Sequence, residues 1–110
     1  MTLNEYQKQA HKYAIYHDDL YPFFGLVSEV GEVCGKLSKF IMRDKGPRAF
    51  FDILPEERIA LMAELGDALW QLTEAAGVIG YTLEEVAESN LFKLADRKAR
   101  GKLGGSGDNR

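Results

Sequence analysis

Gly25-Leu26-Val27-Ser28-Glu29-Val30-Gly31-Glu32-Val33-Cys34-Gly35-Lys36-Leu37 decides the reading of this chain, because its centre is echoed further along. Glu29-Val30-Gly31-Glu32 reads acid, aliphatic, glycine, acid, and Glu64-Leu65-Gly66-Asp67 reads the same. Both lie inside helical apolar patterns and hold the same phase to them. Around Val30, residues Leu26, Cys34 and Leu37 fall within about 40° at about 100° per residue. Around Leu65, residues Leu61, Leu69 and Leu72 take the matching offsets. Glu29 and Glu64 stand at the edges of their stripes, with Glu32 and Asp67 about 60° further round the same side. The pattern predicts that the stripes are the buried faces. Two such helices facing each other would then bring four carboxylates together where core meets solvent. Four converging acids repel unless a cation sits among them, and a hard divalent ion suits oxygen donors.

Spacing alone would not carry this. With 17 acids in 110 residues, chance yields about three acid pairs at i, i+3. The chain has three, at 29/32, 64/67 and 85/88. The shared context separates the first two. Glycine costs about 1 kcal/mol relative to alanine inside a helix, yet Gly31 and Gly66 recur at the same point of the same motif. Removing a side chain there would let a backbone or a ligand approach the acids. Glu85 and Glu88 lack the glycine and fall near a helix start, where negative charge matches the dipole.

A chain of 110 residues supports one domain and no second core. The net charge of −3 gives no bulk attraction to nucleic acid or to an anionic membrane, so neither is expected as a partner. Cys34 is the one cysteine, which excludes an internal disulfide and any zinc site of several cysteines. No apolar run reaches the length of a membrane span. Met1–Ala10 has neither the basic start nor the apolar run of a signal peptide, so the expected location is cytoplasmic.

Four helices and a tail emerge from caps and periodicity. Thr2-Leu3-Asn4-Glu5 is a capping-box pattern, and Leu3, Tyr6, Ala10, Tyr13, Ala14 and His17 continue it to about Asp18. Pro22 suits the first turn of a second helix, running to about Met42. Residues 43–54 read as a loop around Gly46 and Pro47. Pro55, Glu56 and Glu57 open a third helix, continuing to about Ala76. Thr82-Leu83-Glu84-Glu85 is a second capping box, opening a fourth helix to about Ala99. No segment alternates like a strand. The expected organisation is an all-α four-helix domain over residues 1–100, with a glycine-rich tail over 101–110.

Asn90, Lys93 and Arg97 stand at i, i+3, i+7 on one helical face. Lysine balances phosphate charge, and arginine grips it bidentately. Lys98 and Arg100 read as a solvated helix end. Arg43, Lys45 and Arg48 are loop cations that could reach phosphate oxygens, although a loop charge is usually just solvated. Lys36, four residues after Glu32, is explained by a surface ion pair with it. His11 and His17 read as surface or packing residues. A ferritin-like di-iron site wants Glu-x-x-His, and the second position here is Glu or Asp. Iron therefore loses ground to Mg²⁺ or Mn²⁺. Trp70 lies off its main stripe and could stack on a base or pack at a subunit interface, with the interface the favoured reading.

With these residues in view, the chain resembles the MazG-like, all-α nucleotide pyrophosphohydrolases. The resemblance rests on Glu29/Glu32, on Glu64/Asp67, and on Asn90, Lys93 and Arg97 in that order. It implies a four-helix MazG-like bundle that is oligomeric, as a homodimer or homotetramer. It implies that Glu29, Glu32, Glu64 and Asp67 bind Mg²⁺ (Mn²⁺ as an alternative) and form the catalytic set. Asn90, Lys93, Arg97 and Lys36 would bind substrate. The implied reaction converts a nucleoside triphosphate to its monophosphate and pyrophosphate. Against it stand a non-catalytic helical interaction module and a nucleotide- or alarmone-binding regulator; metal dependence and turnover separate the three.

Overall fold

The computed structural model describes residues 1–43 and 53–104, and within them every regular element is helical. In order these are α1 (Leu3–His11), α2 (Tyr21–Arg43), α3 (Pro55–Val78) and α4 (Leu83–Ala99). The loop cations Lys45 and Arg48 and the tail beyond residue 104 lie outside the described residues.

The caps form as the sequence predicts. The Glu5 N–H donates to Thr2 Oγ1 at 3.1 Å, and the Thr2 N–H donates to the Glu5 carboxylate at 2.6 Å. Thr82 and Glu85 repeat the arrangement at 3.1 and 2.8 Å. Each box satisfies first-turn N–H groups that have no partner inside the helix. Gly80, at φ +84°, takes the left-handed turn between α3 and α4 that other residues enter only with strain.

α1 ends at His11, well short of the expected Asp18. Residues 13–17 are Tyr, Ala, Ile, Tyr and His, mostly poor helix formers. The chain leaves through two tight turns, Tyr13 N–H to Ala10 O and Ala14 N–H to His11 O. Tyr16 then stacks on Tyr21, ring centroids 5.9 Å apart. The Asp18 carboxylate takes the Leu20 N–H at 2.8 Å and leads into α2.

α2 and α3 form the main packed pair. Gly25 faces Gln71, Lys36 meets Glu64 and Arg43 meets Glu57. Rising numbers on α2 meet falling numbers on α3, so the helices are antiparallel. α1 clasps the start of α4 through two amides. Gln7 takes the Leu83 N–H at 2.8 Å and donates to Tyr81 O, while Asn4 takes the Glu84 N–H at 3.2 Å. α4 packs on α1 and α3 and not on α2. The four helices are thus more open than a closed bundle. The Cα radius of gyration is 16.9 Å, against about 13 Å expected for a compact chain of this length.

The expectation that the apolar stripes are buried is corrected here. Val30 and Leu65, the two stripe centres, are 49% and 57% exposed, and Val27, Met62 and Leu69 are exposed with them. Among the described residues the buried apolar set is small: Ile53, Leu61, Ala75, Ala76 and Leu83. The buried side of α3 is mixed, with Glu57, Gln71, Thr73 and Glu74 buried beside Leu61, Ala75 and Ala76.

Candidate metal centre

Glu29 from α2 and Glu64 and Asp67 from α3 each present a carboxylate oxygen, and these oxygens lie within 4.8 Å of one another. The antiparallel pair produces this directly. Glu64 and Asp67 are one turn apart on one side of α3, and Glu29 projects from α2 onto that turn. Glu29 and Glu64 are half-buried, and Asp67 is exposed.

The electrostatics match a cation site. The Glu29 carboxyl is held above its ordinary range, first by burial, then by the charges of Asp67, Glu64 and Glu32. Three carboxylates at this separation offer hard oxygen donors, and a divalent cation placed among them would relieve their repulsion. Glu32 is not one of the three converging acids: it is exposed, one turn along α2, and acts on Glu29 through its charge. Lys36 Nζ lies 3.2 Å from Glu64 Oε1. The intrahelical pair with Glu32 therefore gives way to a cross-helix pair, because Glu64 is the nearer and less exposed acid.

Gly31 and Gly66 stand beside the acids, but a Cβ added at either would meet nothing within 4 Å. The space they leave is open within one protomer rather than filled by a neighbouring backbone.

The α4 series is divided. Asn90 and Lys93 are exposed and line a separate cleft of about 410 Å³ with Tyr81, Glu85 and Ser89. Arg97 is only 7% exposed, so it does not share their solvated face. None of the three lines the cleft that opens on Asp67, and among the described residues α4 does not pack on α2.

Sequence reasoning passed over residues on the other side of Asp67. A cleft of about 520 Å³ opens from Asp67 and Gly66 between α1 and α3, walled by Tyr6, Tyr13 and Trp70. The Tyr6 phenol is raised by burial, then by Asp67 and Glu74. The Tyr16 phenol is raised by burial, then by Glu74 and Asp19. His11 is not a bystander: its Nδ1 lies 3.0 Å from Glu74 Oε1. The usable signal was spacing, since Trp70, Gln71 and Glu74 come after Asp67 at i+3, i+4 and i+7 on one face. The short α1 that brings His11 and the tyrosines there carried no such signal.

The sequence profile of the MazG nucleotide pyrophosphohydrolase domain matches residues 23–101, which include all three converging acids and the α4 series. The chain belongs to the MazG nucleotide pyrophosphohydrolase domain family. It is also similar to the gene 37 protein of Mycobacterium phage L5, with 44% identity over 90 residues covering 82% of this chain and 75% of that protein. No solved structure matches the chain.

Proposed function

We propose that the protein is a divalent-metal-dependent nucleoside triphosphate pyrophosphohydrolase that releases a nucleoside monophosphate and pyrophosphate. The observation that carries the reading is the convergence of Glu29, Glu64 and Asp67 within 4.8 Å, in a chain of this family. Mg²⁺ is the proposed ion, with Mn²⁺ as the alternative, because all donors are carboxylate oxygens. Bound there, such an ion would neutralise phosphate charge and make a bound water more acidic.

The residues then divide the work. Glu64 and Asp67 hold the ion from α3 and Glu29 from α2, with Glu32 completing the acid set from the next turn. Lys36, beside Glu64, presents a cation to the phosphate chain. Asn90, Lys93 and Arg97 remain the proposed phosphate-binding set on α4.

A homodimer or homotetramer is part of the proposal. The exposed Val27, Val30, Met62, Leu65 and Leu69 form an apolar surface of the kind that marks an interface. No described helix is long and apolar enough to cross a membrane, and the nucleotide pool of the cytoplasm is the proposed source of substrate.

Separating products by ion exchange after incubation with a nucleoside triphosphate and Mg²⁺ tests the reading. Monophosphate and pyrophosphate as primary products are expected. Diphosphate and orthophosphate would overturn the cleavage site. Metal-dependent binding with no turnover would replace the enzyme by a nucleotide- or alarmone-binding regulator. Neither binding nor turnover would leave a helical interaction module.

A further inference from the structure

Behind Asp67, three side chains of α3 have no part in the reaction proposed above. Trp70, Gln71 and Glu74 wall a cavity of about 400 Å³, with Tyr16 from the segment between α1 and α2 and Tyr21 from the start of α2. Trp70 also walls the cleft that opens on Asp67, so one indole separates the acid cluster from this cavity.

The cavity is aromatic in its walls, and one of its polar atoms, Trp70 Nε1, is buried without a partner among the described residues. Gln71 is 6% exposed. Its amide is pressed against Gly25: Cδ, Oε1 and Nε2 lie 2.6, 2.7 and 2.9 Å from where a Cβ on residue 25 would stand. Glu74 is 4% exposed, with His11 Nδ1 at 3.0 and 3.2 Å from its two oxygens. A carboxylate has about four acceptor positions, and one imidazole N–H leaves most of them open. A buried N–H without a partner, as at Trp70, is rare enough in folded proteins to need an explanation. A bound molecule of matching edge chemistry supplies one.

We propose that this cavity is the nucleobase subsite of the nucleotide site, and that Glu74 and Gln71 select bases carrying an exocyclic amine over uracil and thymine. The inference rests on the nucleotide reading above. A planar base fits between Trp70 and the tyrosines, whose rings present flat apolar faces. An exocyclic amine donates to the Glu74 carboxylate, as acidic side chains accept from the amine of cytosine. The Gln71 amide supplies one donor and one acceptor to the rest of that edge. Uracil and thymine instead turn a carbonyl oxygen toward a carboxylate, which is repulsive. Distance agrees as well. Seven residues separate Asp67 from Glu74, about 10 Å along the axis at 1.5 Å per residue, a gap for the ribose between phosphates and base. His11 is a positioning residue that fixes the Glu74 carboxylate from the far side.

The test compares CTP with UTP, which differ at a single amine-for-carbonyl exchange. With Mg²⁺ present, kcat/KM is expected to favour CTP by about tenfold to a hundredfold. In Glu74→Gln the ratio should fall to within about threefold, because an amide accepts either edge. A second readout does not need turnover. Trp70 is the single tryptophan, so its fluorescence should respond to CMP at lower concentration than to UMP, and equally to both in Glu74→Gln. Equal kcat/KM for CTP and UTP, or a ratio untouched by Glu74→Gln, would overturn the subsite while hydrolysis itself stands. Selective quenching by CMP with no hydrolysis of any triphosphate would keep the subsite and remove the hydrolase reading. If Glu74→Gln does not fold, as judged by its circular-dichroism melt, Gln71→Ala carries the same test: an unchanged ratio there overturns the proposal.

Discussion

On α3, Glu64 is half-buried and Gln71 and Glu74 are buried against α1 and α2, whereas Leu65 and Leu69 on the other side of the same helix stand exposed. Polar side chains share the inward face with Leu61, Ala75 and Ala76, while much of the apolar stripe stays outward, unlike the single apolar inward face an amphipathic helix usually shows. Burying carboxylates is unfavourable unless each meets compensation. Three do: Glu57 meets Arg43, Glu64 meets Lys36, and Glu74 meets His11. Asp67 and Glu29 have no such cation among the described residues, and they are the two that complete the converging set with Glu64. The inward face carries the proposed ligand sites, and the exposed apolar residues are where the proposed second copy would pack.

The largest expected effect probes the outward face. Leu61→Ala, at a buried position, should lower stability by about 2–5 kcal/mol in denaturant unfolding. Leu65→Ala should change it by no more than about 0.5 kcal/mol if its side chain stays exposed in solution. A loss at Leu65 as large as at Leu61 would show that a second copy covers it. Leu65→Asp should then give a monomer mass by light scattering.

The inward face answers next to loss of a carboxylate. Glu64→Gln and Asp67→Asn should each lower kcat/KM by about a hundredfold or more, since removing even a supporting partner of a metal ligand costs about 10–100-fold. Both should also abolish the rise in melting temperature that Mg²⁺ brings to the wild type. An Mg²⁺-induced shift of equal size in Glu64→Gln would remove Glu64 from the site.

A smaller effect is expected from Glu29. Its carboxyl is raised in the folded chain by burial and by Asp67, Glu64 and Glu32. Between its unfolded and folded values the folded chain binds more protons, so stability falls as pH rises through that window and the loss is complete above it. Mg²⁺ favours the ionised form and should cancel the loss. Melting curves from acid to neutral pH, with and without Mg²⁺, should diverge as pH rises, and Glu29→Gln should bring them together.

The smallest effect lies at the glycines. With open space around Gly31 and Gly66, Gly31→Ala and Gly66→Ala should stabilise a lone protomer by up to about 1 kcal/mol through helix propensity. Lost activity without lost stability would mean that substrate uses the space. A drop in oligomer mass would mean that the second copy does.

Local physics made much of this legible in the sequence. Capping boxes, Pro22, Pro55 and the two glycine-centred motifs located α2, α3 and α4 to within two residues, because caps and propensities act over one turn. The i, i+3 acids were legible for the same reason, and three of the four meet. The end of α1 was not. His11 stops a helix whose apolar spacing runs on to His17, since Tyr, Ile and His favour other conformations and Tyr16 finds Tyr21 to stack on.

What the sequence by itself determined is the set of helices, the two faces of each, and the acids held one turn apart. Only the tertiary structure decided which face turns inward. Helical periodicity divides a helix into sides without naming the neighbour each side will meet. That choice came from contacts between residues far apart in sequence: Gln71 lying flat on Gly25, Lys36 reaching Glu64, His11 closing on Glu74, and Asn4 and Gln7 gripping the start of α4. Those contacts also separated Arg97 from Lys93 and put Trp70 beside the acids, because burial depends on the partner packed across a helix rather than on the neighbours along it.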